Sequence, residues 1–261
     1  MLVLLPPSES KSPPAARGKP VDLDALSFPG LTPTRMRVLD ALAGASAAPD
    51  ALRRLGVGPS VALEVERNTR LGAVPARPAL EVYTGVLYDA LGWRTMSASA
   101  RRRGAARLLV VSALWGALRP ADRVPPYRLN MCGDLGLGSL TQLWRPALTP
   151  VLHAAGAKGL VVDCRSGDYV AACPPTAELA PRTVAVRVLQ EGRNGRTVVS
   201  HAAKHTRGEV VRHLLESGAD PGRPQGLARA LGERWAVELM PPPRPDRPWT
   251  VDVVLPVPSS A

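Results

Sequence analysis

Four lysines, Lys11, Lys19, Lys158 and Lys204, stand among 29 arginines in this 261-residue chain. A buried lysine can surrender its proton and an arginine does not, so lysines that persist against such a bias are the first candidates for chemistry. Two of them lie in segments dense in polar groups. Lys11 closes the loop Pro6-Pro7-Ser8-Glu9-Ser10-Lys11, which follows the apolar run Leu2 to Leu5. Lys204 belongs to Ser200-His201-Ala202-Ala203-Lys204-His205-Thr206-Arg207-Gly208. On a helix, His201, His205 and Gly208 share a face and Lys204 lies beside them. Histidines at that spacing suit a metal, but no carboxylate or thiolate accompanies them and Lys204 and Arg207 repel a cation. The reading is therefore an anion partner, with no metal and no cofactor.

Three further constellations carry polar chemistry. Ser112-Ala113-Leu114-Trp115 leads into a loop bearing Arg119, Arg123 and Arg128, with Tyr127 between them. Guanidinium forks beside aromatic faces suit phosphate or nucleobase. Asp163-Cys164-Arg165-Ser166-Gly167-Asp168-Tyr169 leaves the end of another apolar run. No base is placed near Cys164, which reads as a buried spectator thiol, while Arg165, Ser166 and Tyr169 read as site residues. Gly56 and Gly58, in a stretch of about 51–69, resemble the turn of a helix-hairpin-helix, whose backbone N–H groups would meet a phosphate; the alternative is a tight turn between helices.

The elements that must hold these groups alternate. Apolar runs at Leu2 to Leu5, Arg107 to Ala113 and Gly159 to Asp163 read as buried strands, and Glu81 to Gly85 as a further strand. Thr34 to Ala43, Leu140 to Ala155, Ala202 to Ser217 and 224–232 read as helices. Thr183 to Glu191 and Arg196 to His201 alternate around Arg193-Asn194-Gly195 as a β-hairpin, and Trp235 to Met240 and Trp249 to Leu255 are strands flanking a Pro-Arg linker at 241–248. This predicts one α/β domain over 1–261 with a mixed, partly antiparallel sheet surrounded by helices. The formal charge of +11 favours an acidic partner, and three cysteines without a C-x-x-C pair exclude a disulfide framework. With no signal peptide and no bilayer-length apolar run, the expectation is a cytoplasmic monomer with no membrane partner.

Taken in order, Ser8 to Lys11, Val82-Tyr83-Thr84-Gly85, Ser112 to Pro120 with Pro126-Tyr127-Arg128, Leu143-Trp144-Arg145, Val161 to Tyr169 and Ser200 to Gly208 resemble the YaaA family of bacterial peroxide stress proteins. The chain departs from that pattern at Ser10 and at Cys132, where smaller residues are usual. The resemblance implies a mixed α/β fold with a basic cleft, a helix-hairpin-helix, binding to DNA, duplexes above all and single strands as well, and protection of DNA from iron-dependent oxidative damage. Carried over residue by residue, it lines the cleft with Ser8, Lys11, Tyr83, Arg119, Arg123, Arg128, Arg165, Lys204 and Arg207, and Gly56, Gly58 and His205 join the anion-binding set. The competing reading is an enzyme acting on an anionic or nucleobase-containing small molecule, or on damaged DNA in a lyase or glycosylase manner, with Ser8, Lys11, Tyr83 and Lys204 as catalytic groups.

Overall fold

The computed structural model describes residues 1–192, 195–198 and 200–256. Its strands are β1 (Leu2–Leu5), β2 (Arg77–Pro78), β3 (Leu108–Ser112), β4 (Gly116–Leu118), β5 (Arg123–Val124), β6 (Val161–Asp163), β7 (Thr183–Gly192), β8 (Gly195–Val198), β9 (Ala236–Met240) and β10 (Trp249–Leu255). Its α-helices are α1 (Thr32–Ala47), α2 (Ala51–Arg54), α3 (Ala62–Arg67), α4 (Ala79–Val82), α5 (Val86–Leu91), α6 (Ala98–Arg107), α7 (Leu140–Gly156), α8 (Gly167–Ala172), α9 (Ser200–Glu216) and α10 (Pro224–Gly232).

Strands β4-β3-β1-β6-β7-β10-β9 lie side by side, with β8 paired to β7. The inner strands β3, β1, β6, β7 and β10 are parallel, while β4, β8 and β9 run antiparallel to their neighbours. Strands covered on both faces need continuous apolar sequence, and Leu2 to Leu5 and Leu108 to Val111 are all buried. The sheet is thus mixed and mostly parallel within one surrounding layer of helices, as the alternation predicts. The turn residues Arg193 and Asn194 of the expected hairpin lie outside the described residues, as does Val199.

The path of the chain decides where a site forms. From β1 it crosses to β3 on one side, then returns to β6 on the other side of β1. Numbered along the chain, the five parallel strands lie in the order 2-1-3-4-5. The connections therefore diverge above the carboxyl ends of β1 and β6, and such a divergence opens a crevice where ligands sit.

Three expectations change. The second hairpin strand stops at Val198, and His201 lies in α9. Glu81 to Gly85 is not a strand: Ala79–Val82 is a single helical turn behind Pro78, and only Tyr83 pairs, with Lys11, in an isolated bridge. The backbone there bonds to the loop after β1, with Ser12 N–H on the Val82 carbonyl and Thr84 N–H on that of Ser10. Around Gly56 and Gly58, the flanking helices have four and six residues and a 3₁₀ turn, Pro59–Val61, intervenes. Gly56, at φ 63°, ends α2 with its N–H on the Arg53 carbonyl. The glycines act as helix terminator and turn, and a helix-hairpin-helix is not shown.

Candidate active site at the ends of β1, β3 and β6

The loop after β1 folds back onto the Tyr83–Gly85 segment. Gly85 has φ 91°, and a side chain there would press on Ser8 Oγ at 3.1 Å, so the close seat of this loop needs glycine. Ser12 Oγ secures the other side, donating to the Glu81 carbonyl at 2.5 Å. These contacts deliver Lys11 to the crevice above β1.

There the half-buried Lys11 Nζ donates to the Ser8 carbonyl at 2.8 Å and to the Glu9 carbonyl at 3.4 Å. It lies 4.1 Å from the centre of the Tyr127 ring and 5.7 Å from that of Tyr83. Burial, helped by the nearby Arg128 guanidinium and opposed by Glu64 and Glu9, lowers the amine from 10.5 to about 7. The Tyr127 face favours the ammonium by about 2 kcal/mol in a desolvated site, which offsets part of the burial penalty.

Two of the chain's four tyrosines, Tyr83 and Tyr127, face this amine, and the other two lie beside them. Tyr83 and Tyr88 stack with centroids 5.3 Å apart. The Tyr83 and Tyr127 hydroxyls are 3.1 Å apart, and Tyr127 lies 2.7 Å from Ser112 Oγ. The Tyr88 hydroxyl donates to the Pro6 carbonyl at 2.7 Å. Tyr169 is near enough for Tyr127 and Glu9 to oppose its ionisation. Burial raises every one of the four phenols, Tyr127 to about 12, so all are protonated donors near neutrality. A pocket of ≈ 390 Å³ adjoins the pair, lined among others by Ser12, Tyr83, Tyr88, Trp93 and Arg94.

Arg128 guards the rim, donating to the Glu9 carboxylate at 2.9 Å, with Glu64 on α3 at 3.6 Å. Buried Asn68 fixes its backbone from both sides, accepting from Arg128 N–H at 2.9 Å and donating to its carbonyl at 2.8 Å. Arg165 lies beneath. Its guanidinium grips Asp163 at 2.7 and 2.9 Å and donates to the Tyr169 and Cys173 carbonyls, so its donors serve the fold. Cys164 is fully buried, and that burial lifts its thiol to about 12, consistent with a spectator.

The sequence-derived set is thus divided. Ser8, Lys11, Tyr83 and Arg128 come together. Arg207 donates to the Val186 carbonyl at 3.1 Å, close to Cys164. Arg123 is exposed and bonded to the Ala76 carbonyl, on the small β2–β5 ribbon. Arg119 lies at the opposite end of the sheet, on the Ala106 carbonyl, in a pocket with Met1, Leu2 and Lys158. Lys204 and His205 are exposed on α9, and Glu209 lies beside His205, so a carboxylate does accompany these histidines, contrary to the expectation from the sequence. Gly56 and Gly58 form the turn before α3. The residues missed in the sequence are Tyr88, Asn68 and the bonding role of Ser112; the scarcity of tyrosine, with Tyr88 five residues after Tyr83, was the signal available to find the first.

A mostly parallel α/β protein with an amine set among phenols at its strand-order reversal is the class that fold and site define. A family model described as "Peroxide stress protein YaaA" matches residues 1–238. A UPF0246 protein of Streptomyces coelicolor is 46% identical over 259 residues, covering 98% of each chain. Another, of Corynebacterium efficiens, is 39% identical over 241 residues, covering 89% of this chain and 93% of the relative. The chain belongs to the YaaA family of peroxide stress proteins, and that membership fits a role in oxidative stress. Among the described residues, no helix is long and apolar enough to cross a membrane.

Proposed function

We propose that this chain is an enzyme of the peroxide response that acts through the Lys11 amine on an anionic or nucleobase-containing substrate, damaged DNA included. One observation carries the reading: the Lys11 amine, drawn down to about 7 and held over the Tyr127 face at the sheet's crevice. Half neutral near pH 7, such an amine serves as base or nucleophile without a further activating group. The Tyr83–Tyr127 pair supplies a hydroxyl donor, and Arg128 meets negative charge at the rim. The test is turnover of nucleosides and of duplexes carrying oxidised or abasic positions. Lys11→Ala and Lys11→Arg should both abolish it, because a guanidinium does not titrate in this range; turnover surviving Lys11→Ala would contradict the reading.

The second reading, a DNA-binding protein that neutralises phosphates without sequence preference and limits iron-dependent damage, is favoured by the +11 charge. It depends on exposed arginines and on Lys204 more than on the Lys11 centre, since Arg119 and Arg123 lie away from that centre. Duplex affinity falling with salt, with a slope of about 0.9 per phosphate contacted, would support it. A flat response would count against it.

A further inference from the structure

The hydroxyl groups beside Lys11 form a chain that leaves one phenol proton unused. Ser112 Oγ accepts from two backbone N–H groups, Leu114 at 3.2 Å and Trp115 at 3.0 Å. A hydroxyl oxygen has two lone pairs, so the remaining 2.7 Å contact, to Tyr127, must use the Ser112 proton. Tyr127 then accepts from Ser112, and because its oxygen has a second lone pair the 3.1 Å contact with Tyr83 uses the proton of either phenol. Tyr83 is 2% exposed. Whichever phenol accepts in that bond keeps a proton for which no acceptor is found among the described residues, and Tyr83 is assigned as that acceptor. The fold thus spends three residues to present a buried phenol as an obligate donor next to an amine.

Resting on the amine reading above, we propose that the centre takes an aldehyde or ketone, the Lys11 amine adding to the carbonyl carbon while Tyr83 donates to the carbonyl oxygen. The N–C bond forms as the C=O π pair moves to oxygen, which takes the Tyr83 proton. The nitrogen then returns a proton to the phenolate, giving the carbinolamine. Loss of hydroxide with a proton, as water, gives the imine, and Tyr83 ends as it began. No oxidant or reductant enters. Two sources share this chemistry, a free small aldehyde and the ring-opened sugar of an abasic DNA position, both products expected where peroxide attacks organic material.

The experiment uses the whole chain with sodium cyanoborohydride and, in separate arms, propanal or a duplex with one abasic position, followed by peptide mapping. The expected result is a reduced adduct on Lys11 forming well ahead of any on Lys19 or Lys158, with the arm that reacts identifying the source. Tyr83→Phe should slow trapping about 100-fold, the ordinary reach of a general acid, while the pH at which Lys11 titrates stays near its wild-type value. Ser112→Ala should slow it about tenfold, through loss of one hydrogen bond in the chain. Trapping on Lys11 no faster than on Lys19 would overturn the inference. If nucleoside or duplex turnover still required Lys11, the amine reading would survive it; if turnover ignored Lys11, both would fall. An unchanged rate in Tyr83→Phe would remove Tyr83 from the step.

Discussion

Lys11 Nζ lies 4.1 Å from the centre of the Tyr127 ring, and the hydroxyl of that ring lies 2.7 Å from Ser112 at the end of β3. The loop after β1 and the end of β3 therefore meet through one aromatic side chain. The amine that results is packed on carbon, bonded among the described residues only to backbone carbonyls, and faced by a guanidinium. Those surroundings favour its neutral form, and reactivity follows from that.

Turnover through Lys11 should rise with pH through about 7 and level off above it, as the ammonium gives way to the amine. Lys11→Arg should lose activity at every pH. The measurement is kcat/KM against pH for both proteins.

The same shift links stability to pH. The folded value of Lys11 lies below the unfolded value of 10.5, so between about 7 and 10.5 the unfolded chain holds a proton that the folded chain lacks. Its contribution to stability therefore rises with pH across that window, and below pH 7 the full penalty remains. The slope is at most about 1.4 kcal/mol per pH unit, and less for a half-buried amine. Urea unfolding of the wild type and Lys11→Met from pH 6 to 10 should show the wild type gaining on the variant as pH rises.

Arg165→Met should cost about 3–5 kcal/mol, because it leaves the buried Asp163 carboxylate without its partner. Pairing it with Asp163→Val should recover part of the loss. A shift in the urea midpoint reads both; a neutral single variant would show that the pair contributes little.

Gly208 sits where α9 crosses α5, and a side chain there would overlap the Leu87 carbonyl oxygen and come within 2.8 Å of Ala90. Gly208→Ala should cost about 1–3 kcal/mol. It should also shift α5, which carries Tyr88, and so let water reach Lys11 and move its titration upward. Thermal unfolding and the pH profile check the two effects together.

The buried runs were plain in the sequence because parallel strands need apolar residues on both faces: Leu2 to Leu5, Leu108 to Val111 and Val161 to Val162 could hardly be anything else. The segment at 81–85 misled because its apolar and polar pattern answers to the Ser10–Ser12 loop rather than to the sheet, a long-range pairing that periodicity does not encode. Lys11 and Lys204 stood out alike through the arginine bias, but Lys204 is exposed on α9, and Arg119 entered through its aromatic-rich loop and the family resemblance. Strand β4 folds back antiparallel and carries Arg119 to the far end of the sheet. The hydroxyl chain was illegible for a related reason: Ser112, Tyr127 and Tyr83 meet only when three separate segments close over one crevice.

The most direct test is a titration of the Lys11 amine itself, followed by NMR on protein with isotope-labelled lysines and assigned through Lys11→Arg. A midpoint near 7 is the result expected from burial beside Arg128 and the phenols. A midpoint near 10.5, that of a lysine in water, would contradict the account, because no neutral amine would then stand at the centre of the site.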